Sequence, residues 1–231
     1  ASKLSTAQVS ALSADQVAAL STANTAALTT SQVGALTSTQ VEALTTAQER
    51  ALGTAQVAAL TTVQLAQGLT TTQVAALTTA QVAGLTTTQA ASLTTDQIVA
   101  LTSAQLASMK TTQIAALTVT QVAAIETTDI AELTTAQILS LTTAQVAALT
   151  TDQLVSLKTS QLVALKTTQI ASGLTTDQVV VSKIRWVSAN TVGAQARIAD
   201  SNGQPAHGFW TSIGSGQAYV EESNFLQDMT R

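Results

Sequence analysis

Residues 141–148 are LTTAQVAA, and residues 149–156, LTTDQLVS, repeat the same pattern with small changes. Leucine, or Met or Ile in its place, begins 22 such units from Leu4 to Leu174. Successive units are eight residues apart except at two steps of nine, which carry an inserted Gly68 and Gly173. A repeat of fixed period decides the architecture before any single motif does.

Each unit carries the signature of a helix N-terminus. Its second residue is usually Thr, a good N-cap, and its fifth is Gln in 20 of the 22 units. Ser or Thr followed three residues later by Gln forms a capping box. The leucine before the cap and the Val, Ile or Leu after the Gln form the matching hydrophobic staple. The pattern therefore predicts that a new short helix begins in every unit.

Two other structures compete with this prediction. In one continuous helix the leucines would drift by about 80° per unit and form no seam. A β-solenoid remains the alternative, because Thr, Val and Ile favour strands and identical side chains stack well in ladders. The paired alanines and the lack of strict alternation favour helices.

One unit is too small to fold alone. Burying its Leu and Val gains roughly 3–6 kcal/mol, whereas ordering eight residues costs on the order of 12 kcal/mol. Residues 1–182 are therefore predicted to form a mainly α solenoid or fibre of one- to two-turn helices, stabilised by stacking. The sequence leaves open whether one chain closes the core or several chains wind together. The glycine insertions are expected to be tolerated bends.

Several units depart from the consensus. Glu49 and Arg50 stand where Val and Ala are usual, and Thr25 replaces the staple valine. We expect these positions to face solvent; the alternative is a contact with a partner. Lys110, Lys158 and Lys166 replace the capping Thr, and the following Thr of each unit is expected to cap instead.

Residues 183–231 differ in composition and predict a small antiparallel β unit. All five aromatic residues of the chain lie there, and strand-like runs alternate with turn sequences such as DSNG. The unit either caps the array or serves for attachment and recognition. Trp186, Phe209, Trp210 and Tyr219 are the candidate interaction residues, since aromatic side chains dominate binding hot spots.

The residues for enzyme chemistry are scarce. There is no Cys, His207 is the single histidine, and charged residues make up 10%. We therefore predict no catalytic, cofactor or metal site and no enzyme activity. A net charge of −4 argues against nucleic-acid binding, and no apolar run is long enough to span a membrane. Proteins, including other copies of this chain, are the expected partners.

Tandem L-T-x-x-Q-[VIL]-A-A units from Leu4 to about Val181 resemble arrays in bacteriophage tail- or head-fibre proteins and in bacterial adhesin-like surface proteins. The resemblance implies a structural fibre or spacer of a phage virion, with the array setting length and the C-terminal unit attaching or recognising. A trimer is the usual assembly of such fibres. The alternative is a cell-surface adhesin or filament subunit, which needs an export signal that ASKLSTAQ is not expected to provide.

Overall fold

Short helices follow one another along the chain. A computed structural model describes residues 3–166 and Gln169. The helices are α1 Thr6–Ser10, α2 Ala14–Ala18, α3 Thr22–Ala26, α4 Thr30–Gly34, α5 Ser38–Glu42, α6 Thr46–Ala51, α7 Thr54–Val57, α8 Gln64–Gly68, α9 Thr71–Ala76, α10 Thr79–Gly84, α11 Thr87–Ser92, α12 Thr95–Ala100, α13 Ser103–Ser108, α14 Thr111–Ala116, α15 Val119–Ala124, α16 Thr127–Ile130, α17 Thr135–Ser140, α18 Thr143–Ala147, α19 Thr151–Ser156 and α20 Thr159–Ala164. Of these, α8 is π-helical. These residues contain no strand, so the helical prediction is confirmed and the β-solenoid is wrong for them.

Extended residues between the helices turn the chain. Between α9 and α10, Leu77 (φ −55°, ψ 143°) and Thr78 (φ −73°, ψ 155°) both leave the helical region. Their conformations end one helix and place the N-cap of the next. Each repeat unit therefore contributes one helix of about one to one and a half turns and one corner.

Contacts between helices show how many units make one turn of the solenoid. Each helix from α1 to α17 packs against the helix three further along, as in α3 on α6 and α6 on α9. Three units thus complete one turn of a solenoid with three sides. Every turn lies against the turn before it and the turn after it.

The residue after the Gln and the leucine at the corner fill the centre. In the middle of the array, Val82 is fully buried and Leu85, at the corner after it, is 3% exposed. Units along the array repeat this pattern, so the core runs the length of the stack. A single chain supplies these core side chains, which answers the question that the sequence left open.

The first inserted glycine fits without interrupting the stack. The extra residue is taken up in the π-helical α8, which packs against α5 and α11 as other helices do at the same spacing. A Cβ on Gly68 would lie 2.9 Å from the Ser38 carbonyl oxygen and 3.0 Å from the Val41 Cβ. Glycine is therefore required here by the close approach of the preceding turn. Gly173 lies outside the described residues.

Candidate functional site: the glutamine ladder

The repeated Gln performs the capping that the sequence predicts. In α10 the Thr78 backbone N–H donates to Gln81 Oε1 at 2.8 Å, and the Gln81 N–H donates to Thr78 Oγ1 at 3.2 Å. The same reciprocal pair recurs along the array, for example between Thr118 and Gln121. Two backbone donors that the short helix cannot satisfy itself are thereby paired.

The other end of the same side chain makes a contact that the sequence analysis missed. Gln121 Nε2 donates to the carbonyl oxygens of Leu93 at 2.6 Å and Ala90 at 3.1 Å, and approaches that of Ala91 at 3.3 Å. These carbonyls belong to the end of α11 and the corner after it, in the preceding turn. Gln121 is 2% exposed, so this bond lies in the interior of the stack.

This arrangement continues along the array. Each of the following residues donates through Nε2 to the corner carbonyl 28 or 29 residues earlier, and together they are called the glutamine ladder: Gln32, Gln40, Gln48, Gln56, Gln64, Gln73, Gln81, Gln89, Gln97, Gln105, Gln113, Gln121, Gln137, Gln145, Gln153, Gln161 and Gln169. The oxygen of the amide caps the helix that carries the Gln, whereas the nitrogen donates a hydrogen bond to the preceding turn. A capping box accepts Glu as readily as Gln, so the absence of Glu at this position was the available signal that a donor is needed too.

Two positions depart from this pattern. Asn24 lies in the first turn, where its backbone N–H donates to the Ser21 cap. Asp129 is buried at the ladder position but has no amide to donate, and instead accepts a hydrogen bond from Ser103 Oγ at 2.5 Å. The ladder is therefore interrupted once between Gln121 and Gln137.

Lysine at the cap position does not shift the helix start. Lys110 and Lys158 are themselves the N-cap residues of α14 and α20, without a side-chain capping bond. Their backbone N–H groups still donate to Gln113 and Gln161. The expectation that the next Thr caps instead is wrong for these two units, because the Gln holds the register. Lys166 donates in the same way to Gln169.

Glu49 and Thr25 are buried, so the expectation that they face solvent is wrong. Glu49 is 1% exposed and Thr25 is fully buried. Thr25 Oγ1 donates to the Ser21 carbonyl at 3.1 Å, whereas neither carboxyl oxygen of Glu49 has a hydrogen-bond partner. Loss of hydration on burial raises the pKa of Glu49 from 4.5 to about 8.

Trp186, Phe209, Trp210, Tyr219 and His207 lie outside the described residues. Within the described residues, no group of three or more His, Cys, Asp or Glu side chains is arranged to hold a metal ion. None of the helices described here has both the length and the apolar character that a membrane span requires.

Comparison with known proteins supports the repeat array. A family model described as the ALTTAQ repeat matches residues 18–49, 95–124 and 122–159. The chain is thus similar to this repeat family over three stretches of the array. Searches of curated proteins and of solved structures give no match.

Proposed function

We propose that this protein is a structural fibre or spacer, with the solenoid setting a fixed distance, and that it belongs to a phage virion appendage. The observation that carries the proposal is the stacking of similar turns, each bonded to the next through the glutamine ladder. A stack of this kind extends in one dimension and gains length with every added unit.

The outer surface supports a mechanical role over ligand binding. Small residues such as Thr, Ser and Ala recur at the exposed positions of successive units; Thr79, Thr87 and Thr95, each the third residue of its unit, are all exposed. A repeat protein that binds peptides needs varied side chains along one side, because specificity comes from differences between positions. We therefore infer a spacer and no catalytic role.

The phage assignment rests on the resemblance of the repeat units to those of fibre proteins. In that arrangement the array would form the shaft, and residues 183–231 would attach or recognise. Self-association, with a trimer as the usual fibre assembly, belongs to the same proposal. Exposed apolar residues of the array, such as Leu139 and Val163 on α17 and α20, could contribute to contacts between copies.

The spacer function is tested by changing the number of turns in the full chain. Deletion of residues 93–116, which are three whole units, removes one turn and is expected to shorten the particle by about 8–10 Å, the distance between packed helices. Duplication of the same residues should lengthen it equally. Small-angle X-ray scattering measures the maximum dimension, and circular dichroism checks that helicity is kept.

A deletion that breaks the repeat provides the control. Removal of residues 93–104, one and a half units, joins a helix to the wrong part of the next unit and should lower helicity and stability. Two results would argue against a spacer: equal tolerance of both deletions, or a maximum dimension that stays the same when a whole turn is deleted or duplicated. Immunogold labelling of virus particles and of intact cells from producing cultures tests the assignment; label confined to cells would favour the adhesin.

A further inference from the structure

Glu49 is the buried residue of α6 at a core position that is apolar in most units. Helix α6 packs between α3 and α9, and the residues equivalent to Glu49 on those helices are Thr25 and Val74. Further along the same side of the solenoid the equivalent residues are Ile98 and Val122, and both are fully buried. Two polar side chains thus occupy neighbouring turns, and apolar ones follow.

No charged group faces Glu49 from the helices packed on α6. Helix α3 has the sequence TANTA and α9 has TTQVAA, so neither carries a titratable residue. The nearest charged residues along the chain are Arg50, exposed on α6 itself, and Glu42, exposed on α5. The only means of avoiding an unpaired buried charge in the closed stack is therefore to keep the carboxyl protonated.

We propose that Glu49 makes the contact between α3 and α6 a pH-sensitive joint, at which the first turn of the described array, α1–α3, separates from the next when the carboxyl loses its proton. The joint opens on the α3 side because Thr25 offers water a polar surface there, whereas Val74 on the α9 side is apolar. The remaining contacts between these two turns, α1 on α4 and α2 on α5, carry no buried carboxyl at the same position, since Val9, Val17, Val33 and Val41 occupy it.

The sign of the effect follows from the two states. Glu49 has a pKa of about 8 when buried and 4.5 when exposed, so the closed joint binds a proton more tightly than the open one. The stability of the closed joint relative to the open one is greatest below pH 4.5, falls as the pH rises, and falls no further above pH 8. Within this range each pH unit multiplies the open population by up to about ten.

Hydrogen–deuterium exchange of the full chain tests the proposal directly. Exchange is compared at pH 5.5 and 7.5 after correction for the intrinsic rate of the amides. Peptides within residues 22–51 are expected to exchange on the order of fiftyfold faster at the higher pH. Peptides within residues 95–124 serve as the internal control, because that part of the array has apolar residues at the equivalent core positions.

Two variants separate the joint from general effects of pH. Glu49→Val restores the consensus residue and should abolish the extra exchange of residues 22–51 while leaving the fold intact. Glu42→Gln removes an exposed carboxyl nearby and should leave the pH response unchanged. The proposal is overturned if the response persists in Glu49→Val, if it is absent from the unaltered chain, or if residues 95–124 respond equally. None of these outcomes depends on the spacer function.

Discussion

Replacement of Gln121 by Glu isolates the bond between turns from the local cap. The two side chains have the same shape, and Glu keeps the oxygen that accepts from the Thr118 N–H at 2.7 Å. It loses the amide that donates to the Leu93 carbonyl oxygen at 2.6 Å. A large loss of stability would therefore come from the lost bond to the preceding turn and from the charge that Glu introduces, and not from the local cap.

The expected cost has two parts. Leaving a buried carbonyl without its donor costs about 1–3 kcal/mol. An ionised carboxylate at a site that is 2% exposed also faces carbonyl oxygens, and an uncompensated buried charge costs more still. We expect Gln121→Glu to lower the free energy of unfolding by about 3–5 kcal/mol at pH 7.

Gln16→Glu is the matched control. Gln16 accepts from the Ser13 N–H at 2.8 Å, as Gln121 does from its cap, but it is exposed in the first turn. Its replacement should change stability by less than about 0.5 kcal/mol. Urea unfolding followed by far-ultraviolet circular dichroism measures both variants against the unaltered chain.

The pH dependence of the same variant provides a second test. At pH 5 the introduced carboxyl, once protonated, can donate its O–H to the Leu93 carbonyl, so part of the lost stability should return relative to the unaltered chain. Similar losses in Gln121→Glu and Gln16→Glu would refute the bond between turns as a source of stability. A loss in Gln121→Glu that does not depend on pH would refute the role given to the charge.

Three further predictions concern single positions. The unaltered chain should lose up to about 5 kcal/mol between pH 4.5 and 8 in urea unfolding, whereas Glu49→Val should be nearly independent of pH there. Gly68→Ala should lower stability by about 1–3 kcal/mol in thermal unfolding, because its Cβ would lie 2.9 Å from the Ser38 carbonyl oxygen. Lys110→Thr should raise stability by about 1 kcal/mol in urea unfolding by adding the missing side-chain cap of α14; no gain would mean that the Thr hydroxyl does not cap there.

The helices of the array were predictable because their signals are local. The Thr and Gln of each unit are three residues apart, so the capping box follows from sequence spacing alone, as Thr78 and Gln81 show. The corner also follows, since a helix that starts again every eight residues must end as often. The number of units in one turn was not predictable, because it depends on the angle at each corner.

The contacts between turns were not predicted, since they join residues far apart in sequence. Gln121 and Leu93 are 28 residues apart, and no pattern within one unit identifies the carbonyl that the amide reaches. Burial of Glu49 was mispredicted for a related reason: a charged residue is usually exposed, and only the three-sided geometry places its position at the centre. The four aromatic candidates of the C-terminal segment remain predictions.

The equivalence of the three sides has a consequence for how such a gene can change. Most units make the same bonds whichever side they lie on, so gain or loss of one such unit, by slippage or unequal crossing-over within the repeated DNA, leaves most other units with equivalent neighbours. Length then varies in steps of one third of a turn, about 3 Å. Each step also rotates all later units by a third of a turn about the solenoid axis. A change in unit number therefore changes both the length of the array and the direction in which its later surface residues face.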